Sequence, residues 1–289
     1  MVGDRKYYPN FPQMTMNQKI TVRTLMDYKA RGEKFLMLTA YDACTARWAE
    51  DAGVPAILVG DSMGNTVLGY PNTLPVTLEE SLLHTSAVRR GAPNAFVVGD
   101  MPFMSYQISV EEAVRNAGRY LKECGADAVK LEGGRAMLPV IERLVTVGIP
   151  VVGHIGLLPQ SVLKDGGYRL HGRAKEEAKE LIADAKALDA AGVCAMVLEG
   201  IPRELAVDIT SQVSTPTIGI GAGAGTDGQV QVIADLLGLT PGGFTPRHAK
   251  RYAEVGEIAI GAIRQYVSEV QQGVFPDEAH STSASPKAK

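Results

Sequence analysis

Residues 128–132 read AVKLE, a cation and a carboxylate two positions apart in an otherwise apolar run. Side chains of an extended segment alternate between faces, so Lys130 and Glu132 share one face and Val129 and Leu131 take the other. The same habit recurs along the chain. Polar or charged residues end short apolar runs at Asp61 with Ser62, Asp100, His154, Glu199 and Asp235. An Asp or Ser in such a place commonly caps the next helix. Glu caps poorly, so Glu132 and Glu199 resist that reading, and Lys130 within a strand needs partners to be tolerated. Carboxylates brought together would repel one another unless a cation held them, which indicates a metal site. Hard oxygen donors, no paired cysteines and few histidines suit Mg²⁺ rather than Zn²⁺. Mg²⁺ beside Lys130 would receive a 2-oxo acid, whose keto and carboxylate oxygens can chelate the ion. Chelation polarises the carbonyl and stabilises an enolate, and Glu199 is suited to remove the proton. An aldolase or a carbon–phosphorus mutase fits this chemistry equally.

The elements that must position these groups alternate along the sequence. Short aliphatic runs at 35–40, 56–60, 95–99, 128–132, 150–154, 195–199, 217–221 and 230–235 read as strands. Their continuous apolar character suits strands covered on both faces, as in a parallel sheet. Helices fit between most of them. Thr77 with Glu80 and Ser109 with Glu112 have capping-box spacing. Gly53, Gly91, Gly125, Gly148 and Gly192 close helical patterns, where a left-handed residue ends a helix cheaply. Residues 174–192 and 250–272 read as helices, the second weakened by Gly256 and Gly261. Repeated strand–helix alternation favours a (β/α)₈ barrel, with chemistry at the carboxyl ends of the strands. The connection between the seventh and eighth strands is too short for a full helix. The expected organisation is an irregular extension over 1–20, a single barrel domain with a C-terminal helix over 21–274, and a tail over 275–289 whose end is disordered.

Composition narrows the function classes. The chain has 289 residues and a formal net charge of −3, with a pI near 6.0. That balance gives no electrostatic reason to expect nucleic acid or an anionic membrane as partner. No apolar run approaches the ~20 residues of a membrane span, and the amino terminus lacks the apolar core of a secretory signal. Cys44, Cys124 and Cys194 are scattered and odd in number, as in a reduced cytoplasmic protein.

Two motifs compete with the metal reading. GDSMG (60–64) matches the nucleophile elbow of serine hydrolases, with Ser62 as nucleophile, but the Gly- and Pro-containing stretch after it reads as a loop where the elbow needs a helix. GIGAGAG (219–225) fits a loose dinucleotide fingerprint, yet it lacks the following helix and the acidic residue, and reads as a close-packed turn. His84 reads as structural, and His171 lies in a Gly-rich loop that is either a flap or a surface turn.

Longer blocks carry a resemblance. VGDSMG, LPVTLEE, HTSAVRRGAPNAFVVGDMPFMSYQ, VKLEGG, VVGHIGLLPQSV, VLEGIP, IGIGAG and GVFPDEAHS resemble, in order, the ketopantoate hydroxymethyltransferase family of pantothenate biosynthesis. The resemblance implies a (β/α)₈ barrel of the phosphoenolpyruvate/pyruvate type, assembled as a homodecamer. It implies Mg²⁺-dependent transfer of a one-carbon unit from 5,10-methylenetetrahydrofolate to 3-methyl-2-oxobutanoate, giving 2-dehydropantoate; the folate donor comes from the resemblance alone. Carried over by motif, Asp61 and Asp100 are metal carboxylates and Glu132 completes the metal environment, directly or through water. Asp61, Ser62, Asp100, Lys130 and His154 contact the 2-oxo acid or its product, and Glu199 is the proton acceptor. A Mg²⁺-dependent carbon–carbon lyase on the same barrel, a serine hydrolase using Ser62 and a non-catalytic barrel are the alternatives.

Overall fold

The computed structural model describes residues 18–284 apart from Pro241 and Phe244. Most of the expected N-terminal extension and the last five residues of the tail lie outside them. Strands β1 (Phe35–Thr39), β2 (Ala56–Val59), β3 (Phe96–Asp100), β4 (Ala128–Glu132), β5 (Val151–Gly156), β6 (Ala195–Glu199), β7 (Thr217–Ile220) and β8 (Gly228–Gln231) pair in chain order and close into a barrel. Every neighbouring pair is parallel, β8 closing on β1.

Helix α1 (Val22–Arg31) leads into β1 and α2 (Ala43–Asp51) into β2; α3 (Met63–Thr66) and α4 (Leu78–Gly91) precede β3. α5 (Val110–Cys124) and α6 (Leu138–Thr146) follow β3 and β4. α7 (Val162–Asp165) and α8 (Lys175–Ala190) follow β5, and α9 (Arg203–Gln212) follows β6. No helix separates β7 from β8, as the short connection required. α10 (Ile233–Leu237) and α11 (Val255–Gln271) come last.

The chain divides into two compact units, the first ending at Ile233 and holding all eight strands, the second starting at Ala234. In the second, the Tyr252 amide donates to the Leu236 carbonyl at 2.8 Å and the Gly256 amide to the Gly238 carbonyl at 3.0 Å, folding the chain back just before α11. No described helix is long and apolar enough to cross a membrane.

Alternation sets what each barrel face carries. Phe35 and Met37, Ala56 and Leu58, Phe96 and Val98, Ala128, Val152, Ala195 and Val197, Ile218 and Ile220, and Val230 form one buried apolar cluster. Val129, Leu131, Val151, Ile155, Met196 and Leu198 belong to the other, which packs against the helices. The first set fills the barrel, as expected for this fold. Stepping two residues along those strands from Val98, Ala128, Val152 and Val197 reaches Asp100, Lys130 then Glu132, His154 and Glu199. The charged groups therefore cap the apolar plug at the carboxyl ends of the strands.

Local signals hold with instructive exceptions. Thr77 and Glu80 make the reciprocal capping box, whereas Ser109 accepts from the Glu112 amide with no return bond recorded. β8 spans Gly228–Gln231, not 230–235, because its length is set by pairing with Phe35–Leu38. Beyond that register, the Thr39 hydroxyl accepts from the Ile233 amide at 3.0 Å where α10 begins, so Asp235 lies in a helix rather than at a strand end. The last helix starts at Val255 instead of 250.

Gly91 differs from the other four glycines. Gly53, Gly125, Gly148 and Gly192 are left-handed with positive φ, while Gly91 is the last residue of α4 and is not. A Cβ there would lie 2.2 Å from the Ala43 carbonyl oxygen and 2.7 Å from its Cα, so close packing of α4 on the start of α2 demands glycine. Gly91→Ala is expected to lose about 1–3 kcal/mol of stability through overpacking. It should appear as a lower urea midpoint at unchanged slope. An unchanged midpoint would show that the two helices part freely.

Candidate active site

Strand register brings the charged groups together. Asp100 and Lys130 are cross-strand partners, with Lys130 Nζ 2.9 Å from Asp100 Oδ1. Glu132 and His154 are partners in the next pair, with His154 Nδ1 3.6 Å from Glu132 Oε1 and 3.4 Å from Lys130 Nζ. The other ring nitrogen, Nε2, lies 3.2 Å from Glu199 Oε2 but off hydrogen-bond alignment. Asp61, two residues past β2, joins through its backbone amide, which donates to Asp100 Oδ2 at 3.0 Å. Asp61, Asp100, Lys130, Glu132 and His154 are buried; the Glu199 side chain keeps 18% exposure and so remains reachable.

The electrostatics follow from crowding in a dry site. Burial, then the Asp100 charge, pushes the Asp61 carboxyl up to about 7, against the pull of Lys130 and a hydrogen bond from Gln160. Burial likewise holds the Glu132 carboxyl well above the usual range. Burial works against charge on Lys130, yet Asp100, Glu132 and Asp61 outweigh it and raise its pKa, so the ammonium is charged. Burial and then Lys130 lower the His154 pKa, leaving a neutral imidazole near pH 7. The cluster therefore holds one fixed cation among several carboxylates.

Four residues outside the sequence expectation complete the surroundings. Gln160, in the segment after β5, donates Nε2 to Asp61 Oδ2 and to the Met101 carbonyl, both at 3.0 Å, and its backbone amide to Glu132 Oε2 at 3.0 Å. The Tyr106 hydroxyl donates to Gln160 Oε1 at 2.9 Å and accepts from the Glu132 amide at 3.0 Å. Tyr41 pairs with Ser62 Oγ at 2.9 Å. Tyr168, 57% exposed, has its phenol pKa raised by burial and then by the charges of Asp61, Glu199 and Glu132. Tyr106 and Tyr168 lie in loops without period, and Gln160 in a single 3-10 turn, Pro159–Ser161, too short to show one. The one available signal was their position after the carboxyl ends of β3 and β5, where barrel sites are built.

Ser62 adjoins the cluster, but the hydrolase reading fails on geometry. A one-turn helix does follow it, contrary to the loop expected, yet Ser62 has ordinary helical angles, φ −53 and ψ −15, instead of the strained turn an elbow requires. Its hydroxyl pairs with Tyr41 rather than with a histidine, and His84 directs Nδ1 to the Tyr41 backbone carbonyl at 2.5 Å. Gly221 and Gly223 turn the chain directly into β8, not into a nucleotide-binding helix. His171 lies 3.2 Å from Asp165, and its amide donates to the Gly200 carbonyl at 3.1 Å, tying the Gly-rich loop to the residue after Glu199.

Among the described residues no three His, Cys, Asp or Glu side chains converge as a ready-made metal cage. The donors nevertheless fit Mg²⁺, which commonly takes one or two carboxylates and fills its octahedron with water and substrate oxygens. Asp61 and Asp100 are near enough for one charge to raise the other's pKa, and Glu132 Oε1 is buried without a hydrogen bond. A divalent cation would relieve both.

Comparison with known proteins identifies the family and the fold. The family described as ketopantoate hydroxymethyltransferase matches residues 19–278. A 3-methyl-2-oxobutanoate hydroxymethyltransferase of Thermoanaerobacter sp. (strain X514) is 52% identical over 266 residues, 92% of this chain and 97% of the relative. One of Syntrophus aciditrophicus (strain SB) is 53% identical over 264 residues, 91% and 97% of the two chains. Among solved structures, phosphonopyruvate hydrolase in complex with oxalate and Mg²⁺ aligns with a TM-score of 0.57 at 12% identity, covering 91% of this chain and 92% of that one. 2,3-Dimethylmalate lyase, described as a PEP mutase/isocitrate lyase superfamily member, aligns with a TM-score of 0.55 at 17% identity, covering 92% of each. At those identities the structures share the fold alone.

Proposed function

This chain belongs to the ketopantoate hydroxymethyltransferase family, and from that premise we propose how its barrel mouth performs the reaction. The activity is hydroxymethyl transfer to 3-methyl-2-oxobutanoate, a step of pantothenate biosynthesis. The donor in this proposal is 5,10-methylenetetrahydrofolate and the cofactor Mg²⁺. Asp61 and Asp100 would hold the ion, with Glu132 directly or through water; bound there, it supplies Lewis-acid polarisation of the 2-oxo group.

The chain's own residues do the rest. Lys130 offers its charge to the substrate's anionic end, and Ser62 and Asp61 border that end. Glu199 accepts the C3 proton: it is the reachable carboxylate of the cluster. Neutral His154, held between Lys130 and Glu199, keeps Glu199 oriented and can hydrogen-bond the product hydroxyl. Removing the C3 proton makes C3 nucleophilic towards the donor's methylene carbon. The new carbon–carbon bond forms as one of that carbon's two C–N bonds opens, and water then displaces the second nitrogen to leave the hydroxymethyl group. Tetrahydrofolate departs with the C3 proton and one water proton on its two nitrogens. The observation that carries this reading is a partly exposed carboxylate, Glu199, separated by His154 from a buried Lys130 that is itself paired with Asp100. Free Cys44, Cys124 and Cys194 suit a reducing, cytoplasmic setting, and the family's decamer is carried over as the assembly.

Proton NMR of 3-methyl-2-oxobutanoate in D₂O tests the proposal without the donor. Loss of the C3 proton signal with protein and Mg²⁺, abolished by EDTA, is the expected result. Absence of exchange, followed by absence of product when methylenetetrahydrofolate is added, would exclude this substrate. Product formed without prior exchange would show that enolisation waits for the donor. Exchange with no product on adding the donor would favour the carbon–carbon lyase.

Metal uptake should carry a proton signature. A carboxyl with its pKa near 7 is largely protonated below that pH and must ionise to hold a cation. Mg²⁺ affinity is therefore expected to rise with pH up to about 7 and level off above. Calorimetry at pH 6 in buffers of different ionisation enthalpy should record proton release on Mg²⁺ binding, from Asp61 and, where it ligates directly, Glu132. The Asp61→Asn variant should release fewer protons per ion than the parent.

A further inference from the structure

We propose that Gln160 is a positioning residue that sets which divalent cation the site accepts, by forcing Asp61 and Glu132 to offer one oxygen each. The inference rests on the metal reading above and extends it to selectivity. Gln160 is 6% exposed, and its side-chain amide is saturated. Nε2 donates to Asp61 Oδ2 and the Met101 carbonyl, while Oε1 accepts from the Tyr106 hydroxyl at 2.9 Å and Gln107 Nε2 at 3.2 Å. A flipped amide would set its oxygen against two acceptors, one of them the Met101 backbone carbonyl, so its orientation is fixed by its partners. The donor facing Asp61 is permanent.

The same residue then acts on a second carboxylate through its backbone. Its amide takes Glu132 Oε2 at 3.0 Å, while Glu132 Oε1 stays buried without a hydrogen bond. One oxygen of Asp61 and one of Glu132 are thus tethered by a single residue, and the other oxygen of each is left for a ligand. Asp100 is restrained in parallel, Oδ2 by the Asp61 amide and Oδ1 by Lys130. Single-oxygen donation suits the small octahedron of Mg²⁺. Ca²⁺ prefers six to eight oxygens at longer distance and gains from carboxylates that bind through both. A fixed donor on one oxygen of each carboxylate competes with that second contact and holds the group in place, so the segment after β5 disfavours the larger ion without touching it.

Isothermal titration of Mg²⁺ and of Ca²⁺ into the full-length protein and into Gln160→Met and Tyr106→Phe decides the matter. Methionine keeps the length and the backbone amide but frees Asp61 Oδ2. The ratio of the Ca²⁺ to the Mg²⁺ dissociation constant is expected to fall by about tenfold or more in Gln160→Met, the scale on which supporting residues tune metal sites. It should fall by less in Tyr106→Phe, where the amide loses one of its two anchoring donors. An unchanged ratio in variants that melt as the parent does would overturn the proposal. Should Gln160→Met fail to fold, the ratio in Tyr106→Phe decides alone. A parent that binds neither ion would instead overturn the metal reading, and this inference with it.

Discussion

Glu199→Gln is expected to lower kcat by about 10²–10⁴-fold, the usual worth of a positioned general base, while the KM for 3-methyl-2-oxobutanoate stays near its parent value. Glutamine keeps the size of the side chain and an oxygen facing His154, so the ring of Asp61, Asp100, Lys130 and Glu132 has no reason to rearrange. Only the ability to take a proton is lost. A fall in kcat and kcat/KM together is the signature of an interaction needed in the transition state and not in binding. Steady-state kinetics give the split, and the D₂O experiment gives an independent reading, because the variant should also retain the substrate's C3 proton. Parent-like exchange in Glu199→Gln would move the base elsewhere. His154, 3.2 Å away and neutral at pH 7, would be the next group to replace.

Lys130→Met should cost both stability and substrate binding. The ammonium is the cluster's internal cation, 2.9 Å from Asp100 and attracted also by Glu132 and Asp61. Removing one partner of a buried ion pair typically costs about 3–5 kcal/mol, because the other charge is left uncompensated. The pH dependence has a definite sign. Lys130 has a folded pKa above its unfolded one, so its stabilisation is whole at neutral pH and would fade only as pH rises through the folded value. In the variant the carboxylates lose the charge that pulled their pKa values down. Groups whose folded pKa is raised destabilise the fold as pH climbs from the ordinary carboxylate range towards that raised value. Lys130→Met is therefore expected to melt well below the parent at pH 8 and to close the gap towards pH 5. Equal melting temperatures at pH 8 would mean that other groups neutralise the site. Mg²⁺ should recover part of the loss, since it supplies a cation to the same oxygens.

The amount of this that was legible in the sequence depended on range. Alternation with period two is a local property, so AVKLE alone decided that Lys130 and Glu132 face one way and Val129 and Leu131 the other. Asp100, His154 and Glu199 were legible only as the ends of apolar runs; that they share the face of Lys130 and Glu132 emerged once the strands were paired. Capping at Thr77 was equally local. β8 was misplaced because its length came from its partner β1 and from the Thr39 hydroxyl, both nearly two hundred residues away. Gly91 matched the pattern of a helix-ending glycine, and only the approach of Ala43 revealed a different requirement.

By itself, then, the sequence determined the barrel, the shared face of Lys130 and Glu132, the polar ends of its strands and the family. The tertiary structure alone decided that Lys130 pairs with Asp100, that His154 stands between Lys130 and Glu199, and that Gln160 with Tyr106 holds the carboxylates. The physical reason is that periodicity reports which way a side chain points within its own element. Hydrogen-bond partners drawn from aperiodic loops after different strands exist only once the barrel has closed and brought those strand ends to one mouth.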